Sequence, residues 1–163
     1  MEFDYEITEK SEFYVLGMAL ERIPFMQGPK HIPQLWQKFA MGEHPCIGEI
    51  GRFSVEPHGE FGVMKDFDQE TKTFKYLAGL PVGSDASVPD GMEKWTIPAQ
   101  TYIAVKCRLS TIMQAIEFWK TWISDSEEYE YSKGVEFEWY PPDYHEAPEK
   151  NWMYYCFPIR KKK

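Results

Sequence analysis

The sequence predicts an α+β protein: a duplicated βαββ unit whose strands form an antiparallel sheet carrying two helices. Two observations point there. The order strand, helix, strand, strand occurs twice, in pseudo-repeats of about residues 1–82 and 93–160, and the copies resemble one another along three of their strands. Each half alone would also expose the open side of a small sheet and the apolar stripe of its helix, so each copy must cover the other. With 163 residues the chain is long enough for one compact unit with a sizeable interior.

In the first copy, Phe13 to Glu21 reads as extended. Ile32, Leu35, Trp36 and Phe39 then recur at helical spacing, with Pro33 placed in the first helical turn, where its missing N–H is tolerated. Two strands follow, near Glu60 to Lys65 and Thr73 to Val82, separated by the turn-like residues Asp66 to Glu70. A connection with Pro, Gly, Ser and Asp runs from Pro81 to Met92 and leads through a short strand and tight turn, Glu93 to Tyr102, into the second copy. There Thr101 to Arg108 is extended, and a helix runs from Thr111 through Ile123. Ile112, Ala115, Ile116, Trp119 and Ile123 form its apolar face, with Ser110 as N-cap. Strands at Val135 to Tyr140 and Trp152 to Ile159 complete the copy. Trp36, Trp119 and Trp122 fall at core-like helical spacing and read as packing residues.

The formal net charge of −8 argues against a phosphate-binding surface, because affinity for nucleic acid depends on clustered Lys and Arg. The basic run Arg160 to Lys163 reads as a solvated terminus. No apolar run approaches the length of a membrane span, so neither direct nucleic-acid binding nor membrane insertion is expected. Cys46, Cys107 and Cys156 are widely spaced without a CxxC pair, and the N-terminus lacks an apolar signal segment; a cytosolic protein with free thiols is expected. No nucleophile elbow, phosphate-cradling glycine loop or HExxH is present, and His31, His44, His58 and His145 are scattered. Accordingly no catalytic residue, metal or cofactor is assigned.

The segment Glu136 to Tyr140 places Glu136, Glu138 and Tyr140 on one strand face and Val135, Phe137 and Trp139 on the other. Negative charge beside an aromatic ring suits a cation pocket, and an ordinary half-buried strand with carboxylates in water alternates the same way. The 17% of aromatic residues supports a cavity or simple core filling equally. Aligning the copies sets Gly62 where Glu138 stands, so one copy leaves space where the other places charge. The seam between the copies is the natural cavity.

Five motifs in order then become familiar: Tyr76-Leu77-Ala78-Gly79, Val88 to Met92, Ile97 to Tyr102, Phe137-Glu138-Trp139-Tyr140 and Pro158-Ile159-Arg160. The chain resembles the gyrase-inhibitor-like (GyrI-like) effector-binding family, which also supplies the ligand domain of AraC-type and MerR-type multidrug regulators. Ile32 to Trp36 with Phe39 resembles its integron-associated, stand-alone branch, and the resemblance runs from about Tyr5 to Arg160. It implies a duplicated βαββ fold with a central groove for small molecules, frequently hydrophobic cations, held against aromatic rings and a buried acid. Glu138 matches the pocket acid and Tyr140 the tyrosine two places on. Tyr154 and Cys156 stand where many relatives carry an acid and a tryptophan.

A carboxylate in an apolar pocket is costly unless compensated, and a delocalised cation between aromatic faces supplies that compensation. The expected ligand-binding residues are Glu138 with Tyr5, Trp95, Tyr140, Trp152 and Tyr154. The expected partner is a small aromatic or lipophilic cation. Because the chain opens directly on a strand, it is expected to sequester a compound or to signal through a separate regulator protein. Two other classes remain open: a small-molecule hydrolase, as some relatives are, with Glu138 as base, and a protein-directed inhibitor of a topoisomerase. Burial separates the last from the sensor, since Glu138 should line a cavity in a sensor and lie exposed in an inhibitor.

Overall fold

A computed structural model describes residues 2–163. In chain order the strands are β1 (Tyr5–Lys10), β2 (Phe13–Pro24), β3 (Glu60–Asp68), β4 (Thr73–Val82), β5 (Glu93–Ile97), β6 (Gln100–Cys107), β7 (Tyr129–Tyr131), β8 (Glu136–Tyr140) and β9 (Met153–Lys161). The helices are α1 (Gly28–Ala40), the single turn α2 (Ile47–Ile50) and α3 (Ile112–Asp125). The strands form one antiparallel sheet in the order β1-β6-β9-β8-β3-β4-β2-β5, with β7 beside β9.

That order is symmetric about the β3–β8 pair, where Gly62 lies directly opposite Glu138. The duplicated βαββ architecture is therefore present, and its two-fold axis passes through the very positions that the repeat alignment equates. The outermost strands are exchanged: β1 leads into the first copy but pairs with β6 of the second, and β5 leads into the second but pairs with β2 of the first. Each copy thus has its edge covered by a strand that belongs, in chain order, to the other.

Helices α1 and α3 pack on one face. Leu35 of α1 and Ala115 and Trp119 of α3 share a core with Met64, Tyr76, Ile103 and Tyr155. The opposite face is buried too, through Val15, Phe61, Val63, Leu77, Trp95, Tyr102 and Phe137. Curvature explains this. Phe13 on β2 and Phe137 on β8 stand three strands apart, which in a flat sheet is about 14 Å, yet their rings meet at 5.6 Å edge to face. The sheet has curled until its second face is an interior of its own.

Three local expectations are corrected. The first helix begins at Gly28, with Pro29 in its first turn, so Pro33 lies inside it and forfeits one internal hydrogen bond. Ser110 does not cap the second helix: the Thr111 hydroxyl accepts the Arg108 N–H at 3.1 Å and donates to the Arg108 carbonyl. Thr111→Ala is accordingly expected to lower stability by about 1 kcal/mol in urea denaturation, with Ser110→Ala within about 0.5 kcal/mol of wild type. Finally, β1 precedes the strand expected to be first; its outer residues are half charged and exposed, and the alternation that marks a buried strand is weak there.

Candidate functional site

A cavity of about 310 Å³ lies between α1 and the central strand pair. Ile32, Pro33 and Trp36 come from α1, Glu138 and Tyr140 from β8, Glu60 from β3, and Tyr144 and His145 from the segment that follows β8. Strand parity selects the floor. On β8 the even positions Glu138 and Tyr140 face the helices, while Phe137 faces the second core.

Glu138 is 7% exposed and is the only buried charged residue among the described residues. The Tyr76 hydroxyl donates to its Oε1 at 2.6 Å, and the Trp36 indole N–H donates to the Tyr76 hydroxyl at 2.7 Å. Tyr76 has one proton to give, and the indole donor leaves it no acceptor competing with the carboxylate. The chain Trp36 to Tyr76 to Glu138 therefore orients all three groups. No ion pair among the described residues includes Glu138. Burial pushes its carboxyl up to about 7, against the pull of the Tyr76 and Tyr140 phenols. The result is an acid poised between neutral and charged forms at neutral pH.

Aromatic rings line the remaining wall. Trp36 and Tyr140 meet at 5.4 Å and Tyr140 and Tyr144 at 5.0 Å, both edge to face. At the rim His145 Nε2 lies 2.8 Å from Glu60. Space for the buried acid comes from Gly62, since a Cβ there would land on the Tyr76 hydroxyl and Glu138 Oε1.

Of the six residues expected from sequence, the fold brings Glu138 and Tyr140 together at the cavity and places four elsewhere. Tyr154 points to the opposite face, beside Trp139 at 5.5 Å, because it is one residue out of phase with Tyr155. Trp95 is buried in that second core, with Lys65 Nζ 4.2 Å above its ring. Tyr5 packs on the flank of α3 against Phe118 and Trp122. Trp152 lies immediately before β9, beneath the Lys106 and Arg108 side chains. Cys156 shares the face of Tyr154, so both departures from the relatives' pattern lie away from this cavity. Sequence reasoning missed Trp36, Tyr76, Tyr144 and His145. The position of Tyr76 in the Tyr-Leu-Ala-Gly motif was a usable signal; Trp36 was masked by helical spacing that suits a core residue equally well.

The comparisons with known proteins decide the lineage. The family described as integron-associated effector binding protein matches residues 6–156. The chain belongs to that family. This bears out the GyrI-like resemblance read from its motifs. The effector-binding chain is 32% identical over 138 residues to the transcriptional regulator BrlR of Pseudomonas aeruginosa, an alignment covering 82% of this chain and 47% of BrlR. It therefore spans about half the length of that relative. The fold matches SAV2435 bound to tetraphenylphosphonium, with a TM-score of 0.77 at 16% identity over 96% of this chain and 94% of that one. It also matches the Vibrio cholerae integron cassette protein VCH_CASS2, with a TM-score of 0.66 at 14% identity over 96% and 95% of the two chains. No helix among the described residues is long and apolar enough to cross a membrane.

Proposed function

We propose that this effector-binding domain takes a compact lipophilic aromatic cation, with Glu138 as counter-charge, in a sensing, sequestering or transcription-regulating role in the cytoplasm. One observation carries the reading: a lone buried carboxylate without a cationic partner forms the floor of an aromatic cavity. A cation there gains both the charge and the ring faces. Tetraphenylphosphonium, the ligand of SAV2435, belongs to the same chemical class. A volume of about 310 Å³ sits at the small end of ligand sites, which favours one- or two-ring cations. The burial of Glu138 supports a sensor over an inhibitor that presents the acid on its surface.

The test compares a benzylic trimethylammonium compound with its uncharged tert-butyl isostere in thermal denaturation at pH 8, with an aryl ester incubated in parallel for product analysis. At about 100 times its Kd the cation is expected to stabilise the protein by about 2.7 kcal/mol, a rise in Tm of roughly 5–10 °C. The isostere should do much less. Equal shifts would remove the charge from the argument, and hydrolysis of the ester that Glu138→Gln abolishes would move the protein to the hydrolase class.

A further inference from the structure

The two-fold axis that places Gly62 on Glu138 also places Glu60 on Glu136, since Glu60 pairs with Tyr140 and Met64 with Glu136. It carries α1 onto α3. Beneath α3 there is a second cavity of about 350 Å³ that shares no lining residue with the first. We propose that this cavity is a second, independent site for a small aromatic cation, with Glu136 as its counter-charge.

Its construction follows the same chemistry with different residues. Ile116, Trp119 and Ile123 of α3 form the roof, and Glu136, Tyr131 and Phe157 line the floor. The Tyr131 hydroxyl donates to Glu136 Oε2 at 2.6 Å and the Tyr155 hydroxyl to Oε1 at 3.2 Å. Two phenols orient the carboxylate without neutralising it, and no ion pair among the described residues includes Glu136. Glu136 is half-buried, and its partial burial pushes its carboxyl up against the pull of the two phenols. The nearest cation among the lining residues is Lys120, whose ammonium lies 3.1 Å from Glu117 on the outer surface of α3. Trp119 is stacked on Phe157 at 4.5 Å and meets Tyr131 edge to face at 5.7 Å, so its ring is fixed.

The ligand class follows from what the site lacks. Both carboxylate oxygens already accept a phenol, and the group has further lone pairs but no donor when ionised. An anion is repelled, and a neutral aromatic fills the space while leaving the charge uncompensated. An ammonium head satisfies the carboxylate while its ring lies against the aromatic and aliphatic side chains that line the cavity. Glu136 and Glu138 are two positions apart on one strand, about 7 Å, and Tyr155 stands between the two cavities, opposite Glu138 and bonded to Glu136. One small cation therefore cannot serve both acids in place.

The experiment is a titration of the full chain, carrying ¹³C-labelled isoleucine methyls, with benzyltrimethylammonium at pH 8. Ile32 reports the first cavity, Ile116 and Ile123 the second. In wild type both sets are expected to shift and saturate, with two equivalents bound. In Glu138→Gln the Ile116 and Ile123 shifts should persist, and Glu136→Gln should weaken them about tenfold or more while sparing Ile32. Ile116 and Ile123 signals that stay still in wild type while Ile32 saturates would overturn the second site alone, a result that needs no variant. Shifts at Ile116 and Ile123 that Glu136→Gln leaves intact would remove its acid. Movement at Ile116 and Ile123 without Ile32 would support the second site and count against the first.

Discussion

Affinity for a monovalent aromatic cation is expected to fall about tenfold for each pH unit below 7 and to level off above it, because only the ionised form of Glu138 can pair with the ligand. The sign follows from linkage. Burial raises the carboxyl of the empty site from the usual carboxylate range to about 7, so at pH 5 about one molecule in a hundred presents the charge. Glu138→Gln should flatten this profile and, at pH 8, weaken the cation by about 2–4 kcal/mol, or roughly 30- to 1000-fold, while sparing the neutral isostere. The same shift governs the unliganded protein. A carboxyl whose folded-state pKa is raised binds its proton more tightly when folded, so its stabilising protonation is complete below the unfolded pKa and lost as pH rises through 7. Relative to wild type, Glu138→Gln should therefore gain stability with rising pH, by up to about 3 kcal/mol at pH 8, with little difference near pH 4. Isothermal calorimetry across pH 5–8 and paired urea melts of the two proteins read both effects. A cation affinity independent of pH would overturn the charge assignment.

Gly62→Ala is expected to cost about 2–4 kcal/mol and to weaken the cation by more than about tenfold. The added methyl must occupy the place where the Tyr76 hydroxyl meets Glu138, so the hydrogen-bond chain from Trp36 or the β3–β8 pairing has to shift. Overpacking of a buried site and a weakened bond to a buried acid then add. Gly48→Ala is the control: nothing lies within 4 Å of a Cβ there, and within α2 the alanine should be neutral or slightly stabilising. Urea midpoints of the two variants check the prediction, and a stable Gly62→Ala that binds normally would show that the cavity floor is softer than its geometry implies.

Much of the fold was legible in the chain itself. Helical spacing from Ile32 and from Ile112 located both helices, and the matching strand pairs revealed the duplication. Period-two alternation in Glu136 to Tyr140 separated the faces correctly, because neighbouring side chains on a strand must point opposite ways whatever the sheet does. The face that Glu138 takes was legible for the same reason: it lies on the strand face that carries Tyr140.

The tertiary structure decided which aromatics meet that acid. Tyr154, Tyr155 and Cys156 read almost alike in sequence, yet pairing with β6 and β8 assigns Tyr155 to the helix side and its neighbours to the other. Trp36 and Trp119 follow the same helical rule, and only the packing of α1 over Tyr76 makes one of them a hydrogen-bond donor at a cavity. The curling of the sheet, which buries Trp95 in the core on the face opposite Glu138, arises from contacts between strands that are remote in the chain. Local sequence encodes period and polarity. Register, curvature and the exchange of β1 and β5 depend on long-range pairing, and it is these that set the two acids, Glu138 and Glu136, beneath separate helices.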